Sequence, residues 1–144
     1  MIRFLCQLLR RLGGLVFSSD LPYIVEGREP LARFIFSSEH FAETKGVVKP
    51  KAFLPDSGGE TSVFRTLSLS AGQIWGIGNG IRNERAKAYA RVGTAAVRRV
   101  GLLVNSAIED HPRHAVIVGW PAEKDGKLIL ALQLSSEASL HLQG

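Results

Sequence analysis

The hydrophobic positions of this chain follow two different periods, and the switch between them outlines the expected elements. Leu5, Leu8, Leu9 and Leu12 recur at helical spacing and Gly13-Gly14 disfavours continuation, so a helix is expected over residues 2–12. Residues 21–25 read as a short extended segment. Pro30 suits the first turn of a helix through Leu31, Ala32, Arg33, Phe34, Ile35 and Phe36, with Ser37 and Ser38 ending it. Residues 47–54 read as an edge-like strand, because Pro50 cannot donate to a ladder. Pro55-Asp56-Ser57-Gly58-Gly59 is a turn, and residues 61–67 return as the second strand of a hairpin.

In the second half, Ser70 is placed to cap a short helix containing Ile74, Trp75 and Ile77. Tyr89, Val92, Ala96 and Val100 form an apolar stripe at helical spacing, which predicts a long helix over residues 84–100. Residues 102–104 and 115–120 read as strands, and residues 105–113 as a polar, exposed connection. A turn through Asp125-Gly126 and an apolar run over residues 128–134 predict a second hairpin, followed by a terminal helix through Leu142. The class implied is α+β: a mostly antiparallel small sheet built from two hairpins, packed against three or four helices. With 144 residues, a single compact domain is expected, residues 1–17 forming a peripheral amphipathic helix and linker.

Charge changes this picture more than composition does. The net charge is +5, and residues 61–110 hold seven basic against three acidic side chains while both flanks are nearly balanced. On the predicted 84–100 helix, Lys87, Arg91 and Arg98 fall within about 40 degrees of each other, opposite the apolar stripe. That face predicts affinity for a polyanion, DNA or RNA, or for an acidic protein partner. The lone cysteine, Cys6, excludes an intrachain disulfide and fits a cytoplasmic location. Arg10 and Arg11 interrupt an N-terminal apolar stretch too short to span a bilayer, so a membrane partner is not expected.

Candidate chemistry gathers around His111-Pro112-Arg113-His114. Imidazole exchanges protons near neutral pH, and a guanidinium holds phosphate through a fixed donor fork. A phosphodiester-processing site would use His114 as base or acid, His40 as its partner, and Arg65 or Arg113 as the anion clamp. Arg65 shares a strand face with Val63 and Leu67, so it needs a counter-anion, either internal or a ligand. Trp75, Tyr89 and Trp120 are the aromatics able to stack on bases if exposed. Pro112 opposes a regular helix through His111 and His114, so no metal site is assigned, and no pattern calls for a cofactor. Gly76-Ile77-Gly78-Asn79-Gly80 lacks the spacing of a nucleotide loop and reads as a turn or helix-packing element. The leading expectation is a small basic accessory protein that binds nucleic acid or another phosphate-bearing partner. The alternatives are a metal-independent phosphodiester hydrolase with a histidine and arginine site, or a protein-interaction module. An enclosed histidine–arginine pocket would favour the hydrolase.

Overall fold

A computed structural model describes residues 21–144. The helix expected over residues 2–12, with Cys6, lies outside the described residues. Strands β1 (Pro30–Ile35), β4 (Thr61–Arg65), β5 (Ala88–Gly93), β6 (Leu103–Ser106), β7 (His114–Val118) and β8 (Ser139–Leu142) form one sheet, in the order β6-β7-β4-β1-β5-β8. Every neighbouring pair is antiparallel. Two-residue strands β2 (Phe41–Ala42) and β3 (Val47–Val48) make a separate ribbon. Helices α1 (Ala71–Gly80), α2 (Thr94–Arg99) and α3 (Lys124–Glu137) complete the fold. This is a mixed α/β domain in which two sheets pack against three helices, as the sequence class anticipates.

Four segments exchange helix and strand relative to the sequence expectation. Residues 30–35 form a strand in the interior of the sheet, between β4 and β5. Leu31, Ala32, Phe34 and Ile35 are all buried because both faces are covered, so the run loses the alternation that marks a half-exposed strand. Pro30 occupies the first strand position, where a missing N–H is tolerated. The helix predicted over 84–100 is β5 followed by the six-residue α2. In β5, Ala88, Ala90 and Val92 join one core while Tyr89 joins the other. Tyr89 and Val92, which seemed to share a helical stripe, therefore face opposite sides. The second predicted hairpin is instead α3, which buries Ala131 and Leu134 one turn apart. Gly126 sits in its first turn rather than in a hairpin turn, and a Cβ there would come within 3.0 Å of the Pro121 ring. The terminal helix is replaced by β8, which pairs with β5.

The two sheet faces carry separate cores. One packs Leu31, Ile35, Val63 and Val92 against Val97 of α2, Ala131 and Leu134 of α3, and Phe53 of a 3-10 helix (Pro50–Phe53). The other is aromatic and lies under α1: Phe34, Phe64 and Tyr89 meet Ile77. Ser70 caps α1 reciprocally with Gln73, each side chain accepting from the other's backbone N–H at 3.2 and 2.9 Å. Gly78 lets α1 approach the sheet, since a Cβ there would lie inside the van der Waals envelope of the Phe34 ring. The expected 55–59 turn is present, with Asp56 Oδ1 accepting from the N–H groups of Gly58 at 2.9 Å and Glu60 at 3.1 Å, but it closes no 47–54/61–67 hairpin: Pro50 starts a 3-10 helix, β3 pairs with β2, and β4 pairs with β1 and β7.

Candidate functional site

The aromatic face is only partly covered by α1. Between the helix and strands β4 and β7 lies an open cleft of about 630 Å³. Its walls include Arg33, Ser62, Phe64, Arg82, His111 and His114. The β4–β7 register pairs Ser62 with Val116 and Phe64 with His114, which places Ser62 and His114 on one face as diagonal neighbours. Ser62 Oγ lies 2.7 Å from His114 Nε2. The other ring nitrogen, Nδ1, lies 3.1 Å from the Ala107 carbonyl oxygen, which can only accept. In the neutral ring Nδ1 therefore carries the proton and donates to Ala107, while Nε2 accepts from the Ser62 hydroxyl. Asp110 Oδ2 lies 3.9 Å from Nδ1 on an exposed side chain. The Ala107 carbonyl is itself fixed, because Ala107 N–H donates to the His114 backbone oxygen at 2.9 Å.

His111 has the complementary arrangement. Its Nδ1 accepts from the Arg113 backbone N–H at 3.0 Å, which leaves the proton of the neutral ring on Nε2. Phe64 touches both histidines, with ring centroids 5.6 Å from His111 and 5.2 Å from His114. The cleft is thus lined by one imidazole presenting a basic nitrogen to a hydroxyl and another bearing its ring proton on Nε2.

Two guanidiniums and the exposed Asp110 carboxylate complete the polar lining of the cleft. Arg33 donates from Nε to the Ala52 carbonyl at 2.8 Å and from Nη1 to the Ser62 carbonyl at 3.0 Å. Burial, with the nearby Arg82 charge, pushes the Arg33 guanidinium below its ordinary pKa, and Asp56 opposes this. Arg82 stands over the Phe36 ring, 4.5 Å from its centroid. Neither arginine has a carboxylate within ion-pair distance among the described residues. A second hollow, about 610 Å³, lies along β6; Glu60, Glu109 and Asp110 are in its wall, and His114 borders it too.

The remaining sequence candidates are dispersed. Lys87 precedes β5, Arg91 lies within it, and Arg98 belongs to α2, where its Nη2 donates to the Val25 carbonyl. With no helix over 84–100, they do not form the predicted basic face. Arg65 is buried in a two-bond pair with Glu29, at 2.7 Å from each carboxylate oxygen, so its counter-anion is internal. Burial alone would raise the Glu29 carboxyl, but hydrogen bonds from Arg65 and the Glu26 N–H, with the charges of Arg65 and Arg113, hold it below the usual range. Arg113 is buried and donates to the Leu67 carbonyl at 2.7 Å. Trp120 donates to the Ile117 carbonyl at 3.2 Å and packs on the larger core, away from the cleft lining. His40 is also outside that lining, on a 3-10 helix (Ser38–His40), close enough to Arg33 and Arg82 to feel their charge. His141 stacks on Tyr89 at 4.6 Å.

The structure places His114 in the cleft lining together with His111, Ser62, Arg33 and Arg82, and the sequence does not point to the last three as its companions. The missing signal for Ser62 was pairing across 52 residues. The sequence pattern puts Arg33 on a helix and His111 in an exposed connection. Among the described residues no cluster of three metal-ligating side chains occurs, and no helix is long and apolar enough to cross a membrane. No protein-family model, curated protein or solved structure matches the chain.

Proposed function

We propose that the cleft hydrolyses phosphodiesters, with proton transfer and charge stabilisation supplied by histidine and arginine side chains. The observation that carries this reading is the pair of complementary imidazoles beside two guanidiniums that lack carboxylate partners among the described residues. His114 takes a proton at Nε2 and hands it to the leaving oxygen, the His111 Nε2–H donates a hydrogen bond to the oxygens on which charge builds, and Arg33 and Arg82 attract the diester anion. Phe64, in contact with both rings, and Phe36, under Arg82, offer apolar surface to the substrate's organic groups. The earlier nucleic-acid reading depended on a basic helical face that is not assembled. A nucleic-acid strand remains within the substrate class as a phosphodiester.

The test is turnover of bis(p-nitrophenyl) phosphate and of short DNA and RNA across a pH series. A pH-dependent rate is expected, with His114→Ala and His111→Ala each lowering turnover by about a hundredfold or more. No hydrolysis of any of these diesters by the folded protein overturns the reading.

A second reading rests on a separate observation. Leu128, Ile129 and Leu132 of α3 are each about half exposed or more, which is an apolar strip suited to self-association. Sedimentation of wild type against Ile129→Glu tests it, and a concentration-independent monomer in both overturns it.

A further inference from the structure

We infer that Ser62 is the nucleophile of this site and carries the phosphoryl group through a covalent intermediate. This deepens the phosphodiesterase reading and rests on it. A diester hydrolase with a histidine base has two routes: the imidazole activates water directly, or it activates a side-chain hydroxyl first. The geometry selects the second. The nitrogen that His114 presents to the cleft is already occupied by the Ser62 hydroxyl at 2.7 Å, within the range for a strong O–H···N bond. The ring cannot turn its other nitrogen inward without breaking the bond to the Ala107 carbonyl. That carbonyl is tied in turn to the start of β7.

Ser62 lies within β4, bonded on one side to β7, so its Oγ is held by a rigid element rather than by a loop. Its own backbone carbonyl accepts from Arg33 Nη1, which places a guanidinium one peptide unit from the hydroxyl. Nucleophile, base, orienting acceptor and anion clamp are therefore linked by three hydrogen bonds, at 2.7, 3.1 and 3.0 Å. The orienting group is a carbonyl, with the Asp110 carboxylate further off at 3.9 Å. Such a pair fixes the tautomer but stabilises imidazolium less than a directly bonded aspartate does.

The reaction balances without further reagents. The Ser62 oxygen attacks phosphorus while its proton passes to His114 Nε2. The oxygen–phosphorus bond forms, the bond to the leaving alcohol breaks, and the departing oxygen takes the proton that His114 Nε2 has just received, while the His111 Nε2–H donates a hydrogen bond to a phosphoryl oxygen. Water then attacks the phosphoseryl diester. It gives its proton to His114 Nε2, which passes that proton to the departing Ser62 oxygen. The products are one alcohol and one phosphate monoester, and both rings return to their starting states.

The experiment has two arms on the full chain. In the first, the wild-type protein is treated with a fluorophosphonate, and peptide mass spectrometry locates the adduct. In this reaction the Ser62 oxygen displaces fluoride and His114 accepts the proton. Expected is an adduct on Ser62, lost in His114→Ala. In the second arm, bis(p-nitrophenyl) phosphate turnover is followed in wild type and in Ser62→Ala, with circular dichroism confirming the fold. Expected is a burst of p-nitrophenol in wild type and about a hundredfold or greater loss in the variant. Turnover at the wild-type rate in folded Ser62→Ala, or a wild type that hydrolyses diester without adduct or burst, overturns Ser62 as nucleophile and leaves the hydrolase standing. An adduct on Ser62 in a protein that cleaves no diester overturns the phosphodiesterase reading while keeping Ser62 activated. The first arm needs no Ser62 variant, so a folding failure in Ser62→Ala does not remove the test.

Discussion

Arg65 and Arg33 are both arginines on strands of the same sheet, and they meet opposite fates. Arg65 is 1% exposed, and Glu29, fully buried, accepts two hydrogen bonds from it. Arg33 reaches the cleft wall and, among the described residues, is bonded to two carbonyls, which are dipoles and cannot cancel its charge. A buried guanidinium closed by a carboxylate is part of the scaffold. One held by carbonyls at the edge of a cavity keeps its field available to an incoming anion. The distinction turns on the partner rather than on burial, and it separates a structural arginine from a binding one within a single sheet.

The hardest test of the closed pair is to remove its anion. Glu29→Gln leaves Arg65 buried without a countercharge and is expected to cost about 3–5 kcal/mol in urea unfolding. The reciprocal prediction concerns pH. Because the folded Glu29 carboxyl is held below its ordinary value, the pair's contribution is present above the unfolded carboxylate pKa and is lost as pH falls through the folded one. A Glu29→Gln protein as stable as wild type would erase the contrast with Arg33.

Next in size is a test of the face that carries the cleft. Gly78→Ala forces a methyl group into the Phe34 ring, and Phe34 is itself buried. Overpacking of this kind costs about 1–3 kcal/mol, and moving α1 also widens the cleft. Unfolding of Gly78→Ala should show that loss together with weaker anion binding. Stability rising by the usual helix gain of alanine over glycine would show that the helix is not seated on Phe34.

These particulars explain what could be read from the chain. The α+β class, the Ser70 cap, the 55–59 turn and the strand carrying Arg65 are local signals, and each survives in the folded protein. The need of Arg65 for an anion was also legible from its two apolar face-mates. That the anion is Glu29 was not, because Glu29 stands just before Pro30, 36 residues away, and becomes a partner only once β1 lies beside β4. The same holds for the site. His114 announces itself by chemistry, whereas Ser62 is one serine among many until β4 and β7 pair. The helix–strand exchanges at 30–35 and 128–134 share one root. A strand covered on both faces and a helix that carries exposed apolar residues, as α3 does at Leu128, Ile129 and Leu132, both appear as apolar runs, and only tertiary contact tells them apart.

Smaller effects test the open charge. Arg82 is exposed, so Arg82→Ala should shift stability by no more than about 0.5 kcal/mol. Its loss should nevertheless weaken binding of inorganic phosphate about tenfold, the equivalent of about 1.4 kcal/mol. Isothermal titration would read both proteins under identical salt. Equal affinities would remove Arg82 from the cleft's field.

The finest test uses His40 as a reporter of Arg33. Burial, followed by the Arg33 charge, holds the His40 imidazole below its ordinary value of 6.5; Lys51 and Arg82 act in the same direction, and Glu39 opposes them. If Arg33 were cancelled as Arg65 is, its contribution at His40 would vanish. An NMR titration should therefore find wild-type His40 below 6.5 and find it moved upward in Arg33→Gln. The sign for stability follows from the same shift. Between the folded value and 6.5 the unfolded chain binds more protons at His40, so stability rises with pH across that interval and is complete above it. Acidification through the interval should cost a little stability in wild type and less in Arg33→Gln. A His40 that titrates at or above 6.5, or that ignores Arg33→Gln, would mean the Arg33 charge is already closed. The two arginines would then no longer differ in kind.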